Sequence, residues 1–380
     1  GRLPRGRRPL MRVALVHDWL TGMRGGEKVL DVLCELYPDA DIFTLIHEPG
    51  RLNPRIERHR ITTSVLQRVP ALKRRYRHCL PFFPALIERF DFSGYDLVVS
   101  SSHCVAKSVI APARTVHVCY CHSPMRYAWD QFEAYFGVER VGAAAHYLLY
   151  RPVMRHLARW DARTASRVGR FVANSRYVAG RIARYYNRAS TVVYPPVDTT
   201  FYEPSATAPG PHFLIVSALV PYKRIDLAID ATRRAGRTLR IVGEGPERAR
   251  LEAEGHPHVT FLGRLPDDAV RAEYRQAAAV LLPAEEDFGI VPLEAQACGR
   301  PVVALARGGA LETVLDGQTG VLVPDSDPGT WAAALARVEG LAFSPDAARR
   351  QAERFSREVC LTHLKQVIDE TVAAGAGRQW

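Results

Sequence analysis

The chain has 380 residues, 47% of them apolar and 24% charged, with a formal net charge of +11. That length exceeds one ordinary core and suits two domains of roughly 150–200 residues, and the composition is that of a globular chain. No apolar run reaches the length of about 18 residues that a membrane-spanning helix needs.

The segment 1–10 is basic and rich in Pro and Gly, with no apolar stretch of signal-peptide length. It is expected to be a disordered tail upstream of Met11. Seven cysteines stand at 34, 79, 104, 119, 121, 298 and 360. Their number is odd and none forms a CxxC pair, which points to reduced thiols and a cytoplasmic setting. The positive charge is concentrated. Residues 51–90 carry ten Lys and Arg against Glu57 and Glu88, a net +8. Such a surface is suited to something anionic.

In chain order, the first short apolar run is Arg12–Val16. A Gly-containing loop follows it, then a helix expected over about Glu27–Tyr37. Further strand-like runs are Asp96–Ser100, Val116–Tyr120, Phe171–Ala173 and Thr191–Tyr194. The second half repeats the habit with Phe213–Ser217, Thr238–Val242, His258–Leu262, Ala279–Leu282, Pro301–Ala304 and Gly320–Val323. β-Branched runs without polar alternation, separated by helical stretches, predict parallel sheets covered on both faces. Two such sets predict an α/β chain of two Rossmann-like, doubly wound domains. Five prolines between Pro195 and Pro211 interrupt the pattern. The expected division is a tail at 1–10, a first domain at 11–200, a second at 205–345, and a C-terminal helix and tail at 346–380. The last helical stretch is expected over about Ser344–Ala374. Ligands of doubly wound sheets bind beyond the carboxyl ends of the strands, so chemistry is expected in those loops and in a cleft between the domains.

The richest loop follows Ala279–Leu282 and reads Pro283-Ala-Glu-Glu-Asp-Phe-Gly-Ile-Val-Pro-Leu-Glu294. Pro292 suits the first turn of a helix that runs to Cys298 and stops at Gly299. The N-terminus of that helix would favour an anion. Glu286 in the loop and Glu294 in the first turn are carboxylates able to accept paired hydrogen bonds from vicinal hydroxyls. A plainer reading also stands: Glu294 complements the helix dipole and Glu286 caps a turn.

These residues resemble the E-x7-E signature of family-four retaining glycosyltransferases of group 1, which have the GT-B fold. Leu219–Ile229, Val242-Gly-Glu-Gly-Pro246, Phe261–Arg264, Gly308–Glu312 and Asp316–Gly320 are similar to that family's other motifs, in order. The resemblance runs from Met11 to about residue 370. It implies two Rossmann-like domains facing a cleft, with a C-terminal helix returning to the first. It also implies residue roles. Glu294 would bind the nucleotide ribose, and Glu286 the hydroxyls of the transferred sugar, aided by backbone N–H groups from Phe288, Gly289, Ile290 and Val291. Lys223 would neutralise the leaving diphosphate, with Arg224 adjacent. Gly243 belongs to the donor turn. Cationic assistance of this kind needs no metal and no cofactor. Many relatives have Gly-Arg where this chain has Ser217-Ala218, so the arginine that usually meets the diphosphate is missing.

The first domain offers two loops. Thr21-Gly-Met-Arg-Gly-Gly-Glu27 opens a helix with Gly25 and Gly26, which would approach a phosphate or the acceptor. Its spacing is not GxGxxG, which argues against a dinucleotide oxidoreductase. The second loop, His122-Ser-Pro-Met-Arg-Tyr-Ala-Trp-Asp130, resembles a branch of the family associated with bacterial surface polysaccharides. By that resemblance His122 would sit against the donor sugar. Arg126, Tyr127, Trp129 and Asp130 are acceptor candidates, with a packed loop as the alternative. His103 is a weaker candidate. His117, Cys119, Cys121 and His122 match no standard zinc spacing, so no metal is expected.

The basic stretch around Ala71–Ile87 mixes cations with aromatics that read as exposed, Tyr76, Phe82 and Phe83 among them. It would meet an anionic membrane surface, guide a lipid-diphosphate acceptor, or simply be a solvated positive face. Nucleic acid is set aside because no recognition motif accompanies the charge. The resulting expectation is a metal-independent hexosyltransferase, cytoplasmic or peripheral on the inner membrane face. It would move mannose from GDP-mannose onto a lipid-linked oligosaccharide in polysaccharide synthesis. The alternatives are a UDP-glucose or UDP-N-acetylhexosamine enzyme of the same fold, an NAD(P)-dependent oxidoreductase, and a non-catalytic scaffold.

Overall fold

The computed structural model describes residues 11–69, 76–206 and 208–380. The expected tail at 1–10, and Lys73, Arg74 and Arg75 of the basic stretch, lie outside the described residues. The chain forms two compact units. One takes the chain to Asn174 and adds Val178–Val193 and Leu361–Trp380; the other holds Ser175–Tyr177 and Tyr194–Cys360.

The first unit carries a seven-stranded sheet of β1 (Val13–His17), β2 (Asp41–Thr44), β3 (Ile61–Thr63), β4 (Leu97–Ser102), β5 (Val116–Cys121), β6 (Arg170–Ala173) and β7 (Thr191–Val192). All neighbours pair in parallel, in the order β3-β2-β1-β4-β5-β6-β7. β1, β4, β5 and β6 are buried along their whole length, which is why their sequences show no polar alternation. The order reverses between β1 and β4, and there the register sets His17 opposite Ser101. Helices α1 (Gly25–Leu36), α2 (Arg151–Thr164) and α3 (Arg176–Tyr186) follow the strands. Trp19, Phe43, Phe83, Phe92, Val98 and Trp160 centre the core beneath the sheet.

One ion pair is sealed into this unit. Lys107 and Asp161 are 1% and 0% exposed, with Nζ 2.9 Å from Oδ1. Nζ also donates to the Asp161 carbonyl at 2.7 Å and to Thr164 Oγ1 at 3.2 Å. The indole of Trp129 and the hydroxyl of Tyr186 donate to Asp161 Oδ2 at 2.8 and 2.9 Å. The pair ties α2 to the turn after β4.

The second unit carries six parallel strands: β8 (Phe213–Val216), β9 (Leu239–Val242), β10 (Val259–Gly263), β11 (Ala279–Leu282), β12 (Val302–Leu305) and β13 (Gly320–Val323). Their order is β10-β9-β8-β11-β12-β13, so this sheet reverses between β8 and β11. Its longer helices are α4 (Ile225–Arg234), α5 (Asp267–Gln276), α6 (Val291–Ala297), α7 (Pro328–Glu339) and α8 (Pro345–Glu353), and a short one spans Arg248–Ala253. Trp331 of α7 is fully buried against β8, β9, β11 and β12 residues.

The single helical stretch expected over Ser344–Ala374 is two helices. Between α8 and α9 (Arg357–Ala374) the Phe355 carbonyl accepts the Val197 N–H at 2.9 Å, which interrupts the helix. From Leu361 onward α9 belongs to the first unit. There the Arg170 guanidinium donates to Glu370 at 2.9 Å and lies 4.2 Å over the Trp380 ring.

Candidate functional site

In the second unit the carboxyl ends of β8 and β11 flank the reversal of strand order. The chain leaving β8 makes a tight turn at Pro221–Lys223, and Arg224 then adopts the left-handed conformation, φ 51° and ψ 44°, before α4 begins. A non-glycine residue there costs on the order of 1 kcal/mol, so the turn is imposed by its surroundings. Lys223 forms an ion pair with Glu286, and both side chains are mostly buried, at 18% and 14% exposed. Two residues that the sequence suggests separately, one for phosphate and one for sugar, are in contact. Arg224 points elsewhere: its Nε lies 3.3 Å from both carboxylate oxygens of Asp226.

Glycines hold these loops in place. A Cβ on Gly243 would lie 1.8 Å from the Ser217 carbonyl oxygen, and one on Gly245 would lie 2.2 Å from that of Leu219. Only bare backbone lets the β9 loop pass against the β8 loop. On the other side, a Cβ on Gly308 would lie 2.2 Å from the Glu286 carbonyl oxygen, which accepts the Gly309 N–H at 2.9 Å. The backbone of Glu286 is thereby clamped by the β12 loop.

Gly289 takes φ +80° and leads through Ile290 into α6, which has Pro292 in its first turn and ends before Gly299 at φ +72°. The helix starts one residue earlier than the sequence predicts. The Phe288 side chain is core, packed with Val197, Leu293 and Phe355 and stacked on Tyr194 at 5.6 Å. Ile290 packs partly against that cluster, and Val291 against a neighbouring one. Glu294 is buried, 5% exposed, and accepts from the Tyr274 hydroxyl at 2.9 Å. Burial, and then Glu294 itself, push the Tyr274 phenol well up, so it remains a donor. Sequence reasoning missed Tyr274. It sits four residues after Val270 on α5 and reads as one more core position.

In the first unit the strand ends carry imidazoles. His17 ends β1, and His103 and His122 follow β4 and β5. Their ring centroids lie 6.2 to 6.5 Å apart, a triangle at the reversal between β1 and β4. Ser101 Oγ lies 3.1 Å from His17 Nδ1 and 2.8 Å from His122 Nε2, so one hydroxyl links two rings. Asp18 accepts four successive backbone N–H groups, from His103 to Ala106, at 2.6 to 3.0 Å, and lies 3.1 Å from His103 Nδ1. Burial holds His122 well below the usual imidazole range, and the neighbouring His103 and His17 add to this. His103 is lowered too, again mainly by burial. His103 and His122 are therefore uncharged near neutrality.

Helix α1 opens at Gly25, two residues ahead of expectation, with the Arg24 N–H donating to Glu27 at 3.1 Å. A Cβ on Gly26 would stand 3.3 Å from His17 Cε1 and 3.6 Å from His122 Nε2, so Gly26 leaves room for both rings; nothing crowds Gly25. Burial alone would raise the Glu27 carboxyl, but His17 beside it holds it below its ordinary value. His17, Asp18 and Glu27 were not singled out from the sequence. The signal lay in β1 ending in His-Asp and in the Glu that follows the glycine pair.

The remaining first-unit candidates have internal partners. Trp129 donates to Asp161 and stacks on Tyr185 at 4.6 Å. Asp130 forms a two-point pair with Arg181 at 2.8 and 2.9 Å. Tyr127 meets Tyr135 edge-on at 5.5 Å, and Arg126 is half-buried at the start of the short helix Arg126–Trp129. His117 is engaged at both nitrogens, by Ser100 Oγ at 2.9 Å and the Arg167 carbonyl at 3.2 Å. Among the described residues no three His, Cys, Asp or Glu side chains converge as metal ligands would. The seven cysteines are all buried and unbridged. In the basic stretch, Tyr76 and Phe83 are not the exposed aromatics the sequence suggests: both are buried in the core, and Phe82 is the exposed one, at 67%. The reason is tertiary, since both pack on Trp19. No described helix is long and apolar enough to cross a membrane.

Two family models match the chain: Glycosyltransferase Family 4 over residues 23–201 and Glycosyl transferases group 1 over residues 210–339. A D-inositol 3-phosphate glycosyltransferase of Salinispora arenicola is 33% identical over 261 residues, covering 56% of this chain and 57% of the relative. A GDP-mannose-dependent alpha-(1-6)-phosphatidylinositol monomannoside mannosyltransferase of Mycolicibacterium smegmatis is 35% identical over 184 residues, covering 40% and 48%. The chain thus spans about half the length of the curated relatives it matches. Among solved structures, Anabaena HepE in complex with UDP aligns over 95% of this chain and 100% of its own, with TM-score 0.69 at 18% identity. Sucrose-phosphate synthase of Thermosynechococcus elongatus aligns over 96% and 100%, with TM-score 0.70 at 20% identity.

Proposed function

Since this chain belongs to the group 1, family-four glycosyltransferases of the GT-B fold, we propose that it transfers a hexose from a nucleoside diphosphate sugar to an acceptor hydroxyl with retention of configuration. The observation that carries this reading is the Lys223–Glu286 pair on the loops that leave β8 and β11, together with buried Glu294 on the helix that follows β11. Lys223 takes the charge that develops on the departing diphosphate, Glu286 holds hydroxyls of the transferred sugar, and Glu294, oriented by Tyr274, holds the ribose. Lys223 and Glu286 neutralise each other in their ion pair, and a donor would offer each side chain a substitute partner, a phosphate for one and hydroxyls for the other. No protein nucleophile is assigned. The leaving phosphate accepts the proton of the attacking hydroxyl on the same face.

For the donor we favour GDP-mannose and for the acceptor a lipid-linked saccharide. Both are supported by the name of the Mycolicibacterium relative, whose acceptor is a lipid. A UDP-sugar is the second reading, supported by the UDP complex of HepE. A screen of GDP-mannose, UDP-glucose and UDP-N-acetylglucosamine hydrolysis decides between them. Turnover of GDP-mannose alone is expected; turnover of a UDP-sugar alone reverses the donor, and no turnover of any overturns the transferase reading.

A further inference from the structure

Helix α2 buries Met154, Leu157, Ala158, Trp160, Asp161 and Thr164. Its exposed face carries Arg151, Arg155, Arg159 and Arg163, each four residues after the last. Residues at that spacing share one face, so the guanidinium groups form a stripe roughly 18 Å long. No ion pair joins any of the four to a carboxylate among the described residues. The only acid on α2 is Asp161, buried and committed to Lys107. The nearest preceding acids in the chain, Glu133 and Glu139, lie on two short helices before it.

Several other surface segments of the same chain differ. Arg248 pairs with Glu244 and Glu252, Arg250 with Glu247 and Glu254, Arg233 and Arg234 with Asp230, and Arg349 with Glu353. Like charges four apart destabilise a helix, and in those segments neighbouring carboxylates relieve them. On α2 they do not.

The turn before α2 is equally unusual. Tyr147, Leu148 and Leu149 are consecutive and 55%, 80% and 54% exposed, and the Arg151 guanidinium lies 5.7 Å over the Tyr147 ring. We propose that the arginine face of α2 and the Tyr147–Leu149 turn dock together on an anionic lipid bilayer. A bilayer interface takes both parts: aliphatic and tyrosine side chains enter at headgroup depth, and guanidinium groups pair with lipid phosphates. A nucleic acid would use the arginines and leave three apolar side chains in water. The surface lies outside residues 51–90, where sequence charge alone points. It deepens the proposed function, on which it rests only for its purpose: it would bring the enzyme to a lipid-borne acceptor.

The test uses the full chain and co-flotation with phosphatidylcholine vesicles, with and without phosphatidylglycerol. Binding is expected only with the anionic lipid and is lost at high salt. Each arginine near such a surface raises partitioning about fivefold, so R155A/R159A is expected to bind roughly 25-fold more weakly. L148S/L149S, which changes only exposed side chains, should also weaken binding. Both variants should keep the melting temperature and the solution rate of donor hydrolysis. Unchanged vesicle binding in both variants, equal binding to uncharged vesicles, or capture of RNA homopolymer without vesicle binding would each overturn the docking face. Loss of donor turnover in the unaltered chain would instead overturn the transferase reading and leave this one standing.

Discussion

Two lysine–carboxylate pairs show how the same chemistry serves different ends. Lys107–Asp161 is wholly buried, and Trp129, Thr164 and Tyr186 add further hydrogen bonds around it. Lys223–Glu286 sits on two loops at strand ends, about one-sixth exposed, with its backbone clamped by glycines. The first pair has nothing to exchange, because every contact is to the protein. The second is held in place and still within reach of solvent, so a ligand can replace each partner. Burial and saturation mark a structural pair, whereas a rigid frame around a reachable pair marks one suited to binding.

The sharpest way to break this contrast is Lys107→Met. Leaving Asp161 buried without its cation is expected to cost about 3–5 kcal/mol, read as a lowered denaturation midpoint. A cost below about 1 kcal/mol would mean the pair is not structural. Lys223→Met is expected to do the reverse, slowing transfer about 10²–10³-fold at nearly unchanged stability. Steady-state rates together with a thermal melt check this, and near-normal turnover would end the proposed role.

The neutral state of the first-unit histidines His117, His122 and His103 is tested by acid. His117 is held down to about 4, mainly by burial, against an ordinary imidazole of 6.5. The unfolded chain therefore binds this proton first, and stability falls as pH drops from about 6.5 towards 4. The loss is about 3 kcal/mol from His117 alone, and more with His122 and His103, which shift the same way. Denaturant titrations at stepped pH measure it, and a flat profile over that window would contradict neutral His117, His122 and His103.

Tyr274→Phe removes one hydrogen bond to a buried carboxylate, an effect of about 1.5 kcal/mol, and should weaken nucleotide binding roughly tenfold by calorimetry. Arg224→Ala should change turnover less than about threefold, since Asp226 already holds the guanidinium and such exposed pairs contribute little. A large loss there would make Arg224 the substitute for the arginine missing at Ala218.

Much of the fold was readable in the residues themselves. Uninterrupted β-branched runs announced buried parallel strands, and Phe213–Val216, Ala279–Leu282 and Val302–Leu305 fall where those runs stand. Glu286 and Glu294 were legible because a loop and the helix entry at Pro292 are local events. Tyr76 and Phe83 were misread because burial depends on Trp19, far earlier in the chain.

What the sequence determined by itself is the pair of sheets and the loops that carry polar side chains, because hydrophobic period and turn chemistry act over a few residues. What only the tertiary structure decided is which of those side chains meet. His17 meets Ser101 because β1 and β4 pair in that register, and Ser101 meets His122 because β5 lies next. Lys223 meets Glu286 because β8 and β11 are neighbours across sixty residues of chain. Strand adjacency is a property of the whole sheet, settled by burying all its faces at once, and no single segment encodes it.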